Sequence, residues 1–369
     1  MIKNEKKDML DKMRNTIFFL IVMYPFIYFI PQVGEVLSHF FEIIYFSFID
    51  ALILIYLSFH ATRLKLAGLS FLMTFLIWMF QFTNFADVRP YFFVITLFLI
   101  SIFASQRDGI FNEFALRFYP LVFIALSVIS LFLPWAYIDN GERYKGFSLS
   151  PTHYSVYALC AVVFCLQFIN NNIIKVLYVL IISYFIYRSE TRLALAVLAL
   201  IFLFYYFKKI SLMLRRVAAF VIIAAFSLSY LIYSLITKYT NFFTIRYSGG
   251  EDKSYEARTI IQGHVLDAWQ NSSLEQYIFG HGAESARNML IEIYGYDIMP
   301  HNDFLKLLYD FGFIGFAFFI LAVYKYGKKN LMALSLLSIY ISAFYHNMAY
   351  SFFAISMMIV LNSRKNVCE

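Results

Sequence analysis

The amino-acid sequence predicts an all-α, polytopic integral membrane protein with about twelve transmembrane helices and one partly helical extracytoplasmic loop. Three observations lead there. The chain has 369 residues, 61% of them hydrophobic and only 14% charged, whereas a soluble domain is about 45–50% apolar and about 25% charged. Apolar runs near the length a helix needs to cross a bilayer, about 20 residues, recur almost from end to end. The polar composition interrupts them once, at 238–302. The expected organisation is a single transmembrane domain over 1–369, with 238–302 as a large periplasmic loop within it.

The first candidate span, 14–31, follows a basic flank like that of a signal peptide. Its apolar run is long and has no small-residue cleavage site after it, so it reads as a retained span. Further candidates lie at 36–59, 65–81, 90–106, 115–137, 150–169, 173–187, 191–207, 216–237, 303–324, 331–345 and 348–362. The third, seventh, eleventh and twelfth are short, and the last two are compatible with one re-entrant hairpin. With the N-terminus in the cytoplasm, nineteen of the thirty Lys and Arg residues fall on the cytoplasmic side and ten on the outer side, with Lys306 inside a span. That bias puts both termini in the cytoplasm and the long loop outside. Within the loop, Ala257, Ile261, Val265, Ala268 and Trp269 share helical spacing. So do Ala286, Met289, Leu290 and Ile293, with Gly295 placed to end that helix.

The net charge of +7 is first an orientation signal in such a chain, and no basic stripe interleaved with aromatics marks a nucleic-acid partner. Cys160 and Cys165 share one apolar segment and Cys368 lies in the tail, so their spacing predicts neither a disulfide framework nor a zinc site. No histidine shows ligand spacing, and no metal or other cofactor is expected.

The outer-face cations carry the chemical signal. Arg188 and Arg192 flank the turn between two spans, Arg143 and Lys145 stand before the span from 150, and Arg246 and Arg258 lie in the loop. Orientation bias should deplete that side of cations, so a group of them at span mouths points to an anion. Guanidinium groups bind phosphate bidentately in partly dry sites. Pairing with Glu142, Glu190 or Glu256, or snorkelling to headgroups, is the plainer alternative for any single one. His301 precedes Asn302 and the span from Asp303, where a helix N-terminus favours anions and a neutral imidazole. Asn302 also has the character of an ordinary helix cap. Lys306 and Asp310, four apart within one span, are expected to pair with each other facing the bundle interior. Gly312 and Gly315 are expected to let two helices approach closely. The glycines of "FGHGAES" follow no strand and do not make a dinucleotide fingerprint.

At these residues the sequence resembles the O-antigen polymerase and O-antigen ligase superfamily of bacterial inner-membrane proteins. His301-Asn302, nine residues, then Gly312-x-x-Gly315 is similar to that family's His-containing signature without a gap. "RTIIQGHVLDAWQ" with the following "FGHG" resembles its periplasmic Arg…Trp…Gly-x-Gly stretch. "SETRLALAVLAL" resembles its Ser-Arg segment with Thr191 in place of the Ser, and "RYKGFSLSPTHYS" its Arg-x-x-Gly…Pro element. These motifs cover about 143–315, and the N-terminal third matches in hydropathy alone.

The resemblance implies metal-independent glycosyl transfer at the periplasmic face from an oligosaccharide on undecaprenyl pyrophosphate. It carries the family's essential residues over to Arg192, Arg258 and His301. Arg143, Arg188, Arg246, Lys145 and Asn302 are then expected to hold pyrophosphate or glycan. Membrane lipids surround the chain, and a polysaccharide chain-length regulator is a further candidate partner. Compact length and heavy Phe, Tyr, Ile and Asn usage lean toward a polymerase. The alternatives are a ligase acting on lipid A core and a lipid-linked-glycan flippase. A transporter should show broken helices near the midplane and repeated halves. Here the polar residues gather at one face, which favours an enzyme.

Overall fold

The structure, a computed structural model, describes residues 2–29, 35–60, 62–68, 89–105, 113–138, 143–207, 211–228, 254–282, 284–343 and 352–362. They are mostly helical. In chain order the helices used below are α1 (Ile2–Met23), α2 (Glu35–Ser58), α3 (Arg89–Ala104), α4 (Glu113–Ser130), α5 (Pro151–Phe168), α6 (Asn172–Arg188), α7 (Arg192–Tyr206) and α8 (Leu212–Ser227). They continue with α9 (Ser254–Gln270), α10 (Leu274–Phe279), α11 (Ser285–Tyr294), α12 (Asp303–Gly327), α13 (Leu331–Ala343) and α14 (Phe352–Asn362). A two-residue antiparallel ladder, β1 (Tyr137–Ile138) with β2 (Arg143–Tyr144), stands between α4 and α5, where hydropathy gives no sign of it.

Among the described residues, four helical stretches are long and apolar enough to cross a membrane: Phe41–Ser58, Glu113–Ser130, Pro151–Phe168 and Asp303–Gly327. Shorter apolar helices occupy Ile95–Ala104, Arg192–Tyr206 and Leu331–Ala343. This is the make-up of a multi-pass membrane protein. The expected span at 65–81 lies largely outside the described residues, as do the far end of 216–237 and residues 344–351.

Two helices form the centre. Fifteen of the eighteen residues of α5 are buried, and in α13 every residue from Met332 to Ala343 is buried. A helix apolar on every side is stable only when neighbours surround it. Accordingly α5 packs against α4, α6, α7 and α13, while α13 also packs against α7, α8, α12 and α14. Ser155, Ala158, Cys160 and Ala161 keep α5 slim enough for this. Cys160 and Cys165 are buried free thiols.

Polar contacts show which helix ends lie together. Lys175 Nζ reaches Tyr205 Oη at 3.3 Å, joining the start of α6 to the end of α7. Arg215 Nη1 donates to the Lys329 carbonyl at 2.9 Å, joining the start of α8 to the end of α12. The opposite ends therefore carry Arg188, Arg192 and the start of α12, all at one end of the bundle.

Helices α9, α10 and α11 form a cap on that end. Ile261, Val265, Ala286, Leu290 and Tyr309 make a small apolar core of their own, with Ala268, Trp269, Met289 and Leu305 packed against it. The cap thus extends past residue 302 into the first turns of α12. That stretch is apolar on two sides: Phe304, Leu307 and Phe311 face the main core, while Leu305 and Tyr309 face the cap.

Helix α12 breaks at Gly312, where φ is 64° and ψ is −173°. The carbonyls of Tyr309 and Asp310, freed by the break, accept hydrogen bonds from His281 N (3.0 Å) and Gly282 N (2.9 Å). A Cβ on Gly312 would lie 2.5 Å from Gly280 N and from the Ile278 carbonyl, and one on Gly280 would lie 2.2 Å from Asp310 O. The expectation that these glycines admit a second helix holds at Gly312 and is corrected at Gly315. At Gly312 the close partner is the end of α10, at Ile278, with Gly280 just beyond it. At Gly315 the space is taken by the same helix, since a Cβ there would lie 2.5 Å from Phe311 Cβ.

The substitution Gly312→Ala should therefore loosen the cap, costing about 3 kcal/mol or more. Gly295→Ala shares the left-handed backbone, at φ 74°, but has nothing within 4 Å. It should cost only about 1–2 kcal/mol. Limited proteolysis of the full chain in nanodiscs reads the contrast: residues 254–311 should become cleavable in the first variant and stay protected in the second.

Candidate active site

The cations divide into two groups at the same end of the bundle. The first surrounds the turn between α6 and α7. Tyr144 anchors the β1–β2 ladder by donating to the Ser127 carbonyl at 2.6 Å and stacking on Phe185 of α6, with ring centroids 5.5 Å apart. Arg188 lies close enough to Tyr144 to oppose the upward push that burial exerts on its phenol. Arg143 and Lys145 flank Tyr144 and so share this corner, and burial lowers the Lys145 ammonium below its ordinary value. Arg192 is the first residue of α7. The turn before it is held by Ser189 Oγ, which donates to the Ile186 carbonyl at 2.7 Å, and by Glu190 in the left-handed region at φ 51°. Glu190 Oε2 is buried and has no hydrogen-bond partner among the described residues. A guanidinium on the first turn of a helix adds to the positive end of the helix dipole.

The second group joins the cap to α12. His301 sits in the left-handed region at φ 54°, half-buried, and its carbonyl accepts a 2.9 Å hydrogen bond from Gln262 Nε2. Asn302 caps α12, its Oδ1 accepting from Phe304 N (3.1 Å) and Leu305 N (3.3 Å). Its Nδ2 is buried with no hydrogen-bond partner among the described residues. Arg258, on α9, acts electrostatically on His301. Burial first, and the Arg258 charge second, push the imidazole down from 6.5 to about 4. Both causes favour the uncharged ring, so His301 is a neutral base at ordinary pH. Arg246 lies outside the described residues.

Residues 177–320 match the family model described as O-antigen ligase. This match supports the O-antigen ligase and polymerase superfamily for that segment of the chain. No curated protein and no solved structure matches the chain. The ligase-family match spans Arg188, Arg192, Arg246, Arg258, His301 and Asn302, together with the whole cap, whereas Arg143 and Lys145 precede it.

Within this matched segment, two residues important to the site's geometry, Glu284 and Gln262, do not stand out in the sequence. Glu284 is the closest partner of Lys306, and its backbone N donates to Asp310 Oδ2 at 3.0 Å. Asp310 Oδ1 accepts from Ala286 N at 2.8 Å, so this carboxylate caps α11. Lys306 and Asp310 do approach, at 3.7 Å, but they face the cap rather than the bundle interior expected from their span. Gly280 makes the turn that meets Gly312, and Gln262 holds the His301 carbonyl. For Gln262 a weak spacing signal exists, since it stands one helical turn after Arg258. Among the described residues no three His, Cys, Asp or Glu side chains gather as a metal site requires.

The lowered value at His301 fixes the direction of its pH dependence. The folded chain keeps the ring neutral down to about pH 4, while the unfolded chain takes up the proton near 6.5. Stability is therefore lost as pH falls through that window. Histidine-selective NMR of the full chain in nanodiscs should place the His301 midpoint near 4. Arg258→Gln should raise it part of the way to 6.5, because burial, the larger cause, remains.

Proposed function

We propose that the chain is an O-antigen polymerase. In this reading it transfers a growing glycan from undecaprenyl pyrophosphate onto a sugar hydroxyl of another lipid-linked repeat unit, without metal. The site faces the periplasm, in a bacterial inner-membrane protein with both termini in the cytoplasm. The observation that carries the reading is the His301–Arg258 pair, a neutral imidazole beside a guanidinium at the mouth of the bundle, within the segment matched to the O-antigen ligase family.

The chemistry follows from these groups. The acceptor hydroxyl oxygen attacks the anomeric carbon of the donor glycan. The bond from that carbon to the pyrophosphate oxygen breaks, and the leaving group departs with the electron pair. Charge grows on the leaving oxygen, and fixed guanidinium groups stabilise it as it forms. Arg258 and Arg192 take that role, with the dipole of α7 adding to Arg192. His301 accepts the hydroxyl proton, or orients the hydroxyl for attack. Its depressed proton affinity suits it to stay unprotonated beside Arg258. Arg143, Arg188, Arg246 and Lys145 hold the diphosphate and the first sugars. The buried Nδ2 of Asn302 is a donor for a glycan or phosphate oxygen. A donor anchored in lipid explains a polar site set at the rim of apolar helices.

A ligase acting on lipid A core is the second reading, favoured by the family's own description. Lipopolysaccharide banding of a deletion strain separates the two. Loss of a polymerase leaves core bearing a single repeat, and loss of a ligase leaves bare core.

The variants His301→Ala, Arg258→Ala and Arg192→Ala should insert normally and make no long polymer. The expected loss is at least about 100-fold, the size typical of a removed acid–base or charge-stabilising group. Transfer between two purified lipid-linked repeat units, in detergent and without vesicles, measures it. Normal chain lengths from the His301 and Arg258 variants would refute the assignment.

A further inference from the structure

We propose that Gln262 is a positioning residue for His301: its side-chain amide holds the His301 peptide in the left-handed turn that sets the imidazole against Arg258. This rests on the reading of His301 given above, and deepens it.

Arg258 and Gln262 stand four residues apart on α9 and so lie on one face of the helix. The flanking Ile261 and Val265 are buried in the cap's apolar core. Gln262 is itself only 2% exposed, an unusual place for an amide unless it has a partner. That partner is the His301 carbonyl, at 2.9 Å from Nε2. One helix therefore supplies both contacts to the same residue: a guanidinium acting on the ring and an amide binding the backbone.

His301 needs such support. A residue other than glycine held at φ 54° is strained by about 1–3 kcal/mol and persists only when its surroundings impose the conformation. Two restraints do so. Asn302 pins the following residue as the cap of α12, and Gln262 pins the His301 carbonyl from α9. Without the Gln262 amide the carbonyl has lost this donor, and the peptide can turn over toward the extended region. That movement swings the imidazole away from Arg258 without breaking either helix.

The test uses the full chain in nanodiscs, with undecaprenyl-pyrophosphate-linked repeat units as substrate. Gln262→Met removes the donor at nearly constant volume and adds no charge. Gln262→Asn keeps the amide but is one methylene too short. Both should melt close to the wild type, keep the KM for the lipid-linked donor, and lower kcat about tenfold. Both should also shift the His301 NMR midpoint upward from its depressed position, which a loss of general stability alone does not do. An unchanged kcat together with an unchanged His301 titration in both variants overturns the inference. If His301→Ala still abolishes transfer in that case, the proposed role of His301 survives it. If His301→Ala transfers normally, that role falls, and the positioning inference stands or falls on the titration alone. Should one variant fail to fold, the other decides.

Discussion

The architecture depends on an approach of two backbones, at Gly280 and Gly312, closer than any side chain permits. The break at Gly312 removes two carbonyls from the helical ladder of α12 and hands them to His281 N and Gly282 N. That exchange keeps buried polar groups satisfied while welding the cap to the bundle. It also turns the first half of α12 into a shared wall, with Phe304, Leu307 and Phe311 on the membrane bundle and Leu305 and Tyr309 on the cap. His301 and Asn302 stand at the start of that wall, so the docking sets where the imidazole sits.

Buried charge reinforces the same joint. Lys306, Glu284 and Asp310 form one cluster between α12 and the start of α11. Each carboxylate oxygen of Asp310 accepts a backbone N–H at the start of α11. Arg287 stands 3.8 Å from Glu284 as well, so the cluster reaches along the first turn of α11. The broken helix also bears on the transporter alternative. Discontinuous helices in transporters expose carbonyls to ions and substrates. Here the freed carbonyls are taken by the cap, so the break has a docking role.

Among the described residues, cations outnumber anions at the mouth, where Glu190 lies between Arg188 and Arg192. Arg188, Arg192, Arg143 and Lys145 gather around the α6–α7 turn, and Arg258 acts on His301 from the cap. Arg192 opens α7, at the positive end of the helix dipole. An imidazole with depressed proton affinity stays neutral in ordinary solution beside Arg258, which keeps its free ring nitrogen open as a hydrogen-bond acceptor for a hydroxyl.

By itself the sequence determined the membrane class, the order of the apolar helices and the two cap helices around Ile261 and Leu290. Hydropathy and periodicity are local properties, read within a window of one helix. It also brought Arg192, Arg258, His301 and Asn302 to attention, because charge and caps at span mouths are visible one residue at a time. Only the tertiary structure decided that Gly312 breaks its helix where it meets the end of α10, that Glu284 is the nearest partner of Lys306, and that Gln262 binds the His301 carbonyl. Each of those is a contact between segments far apart in the chain. Neither glycine spacing nor a lone glutamine in a helix carries the identity of the backbone it will meet.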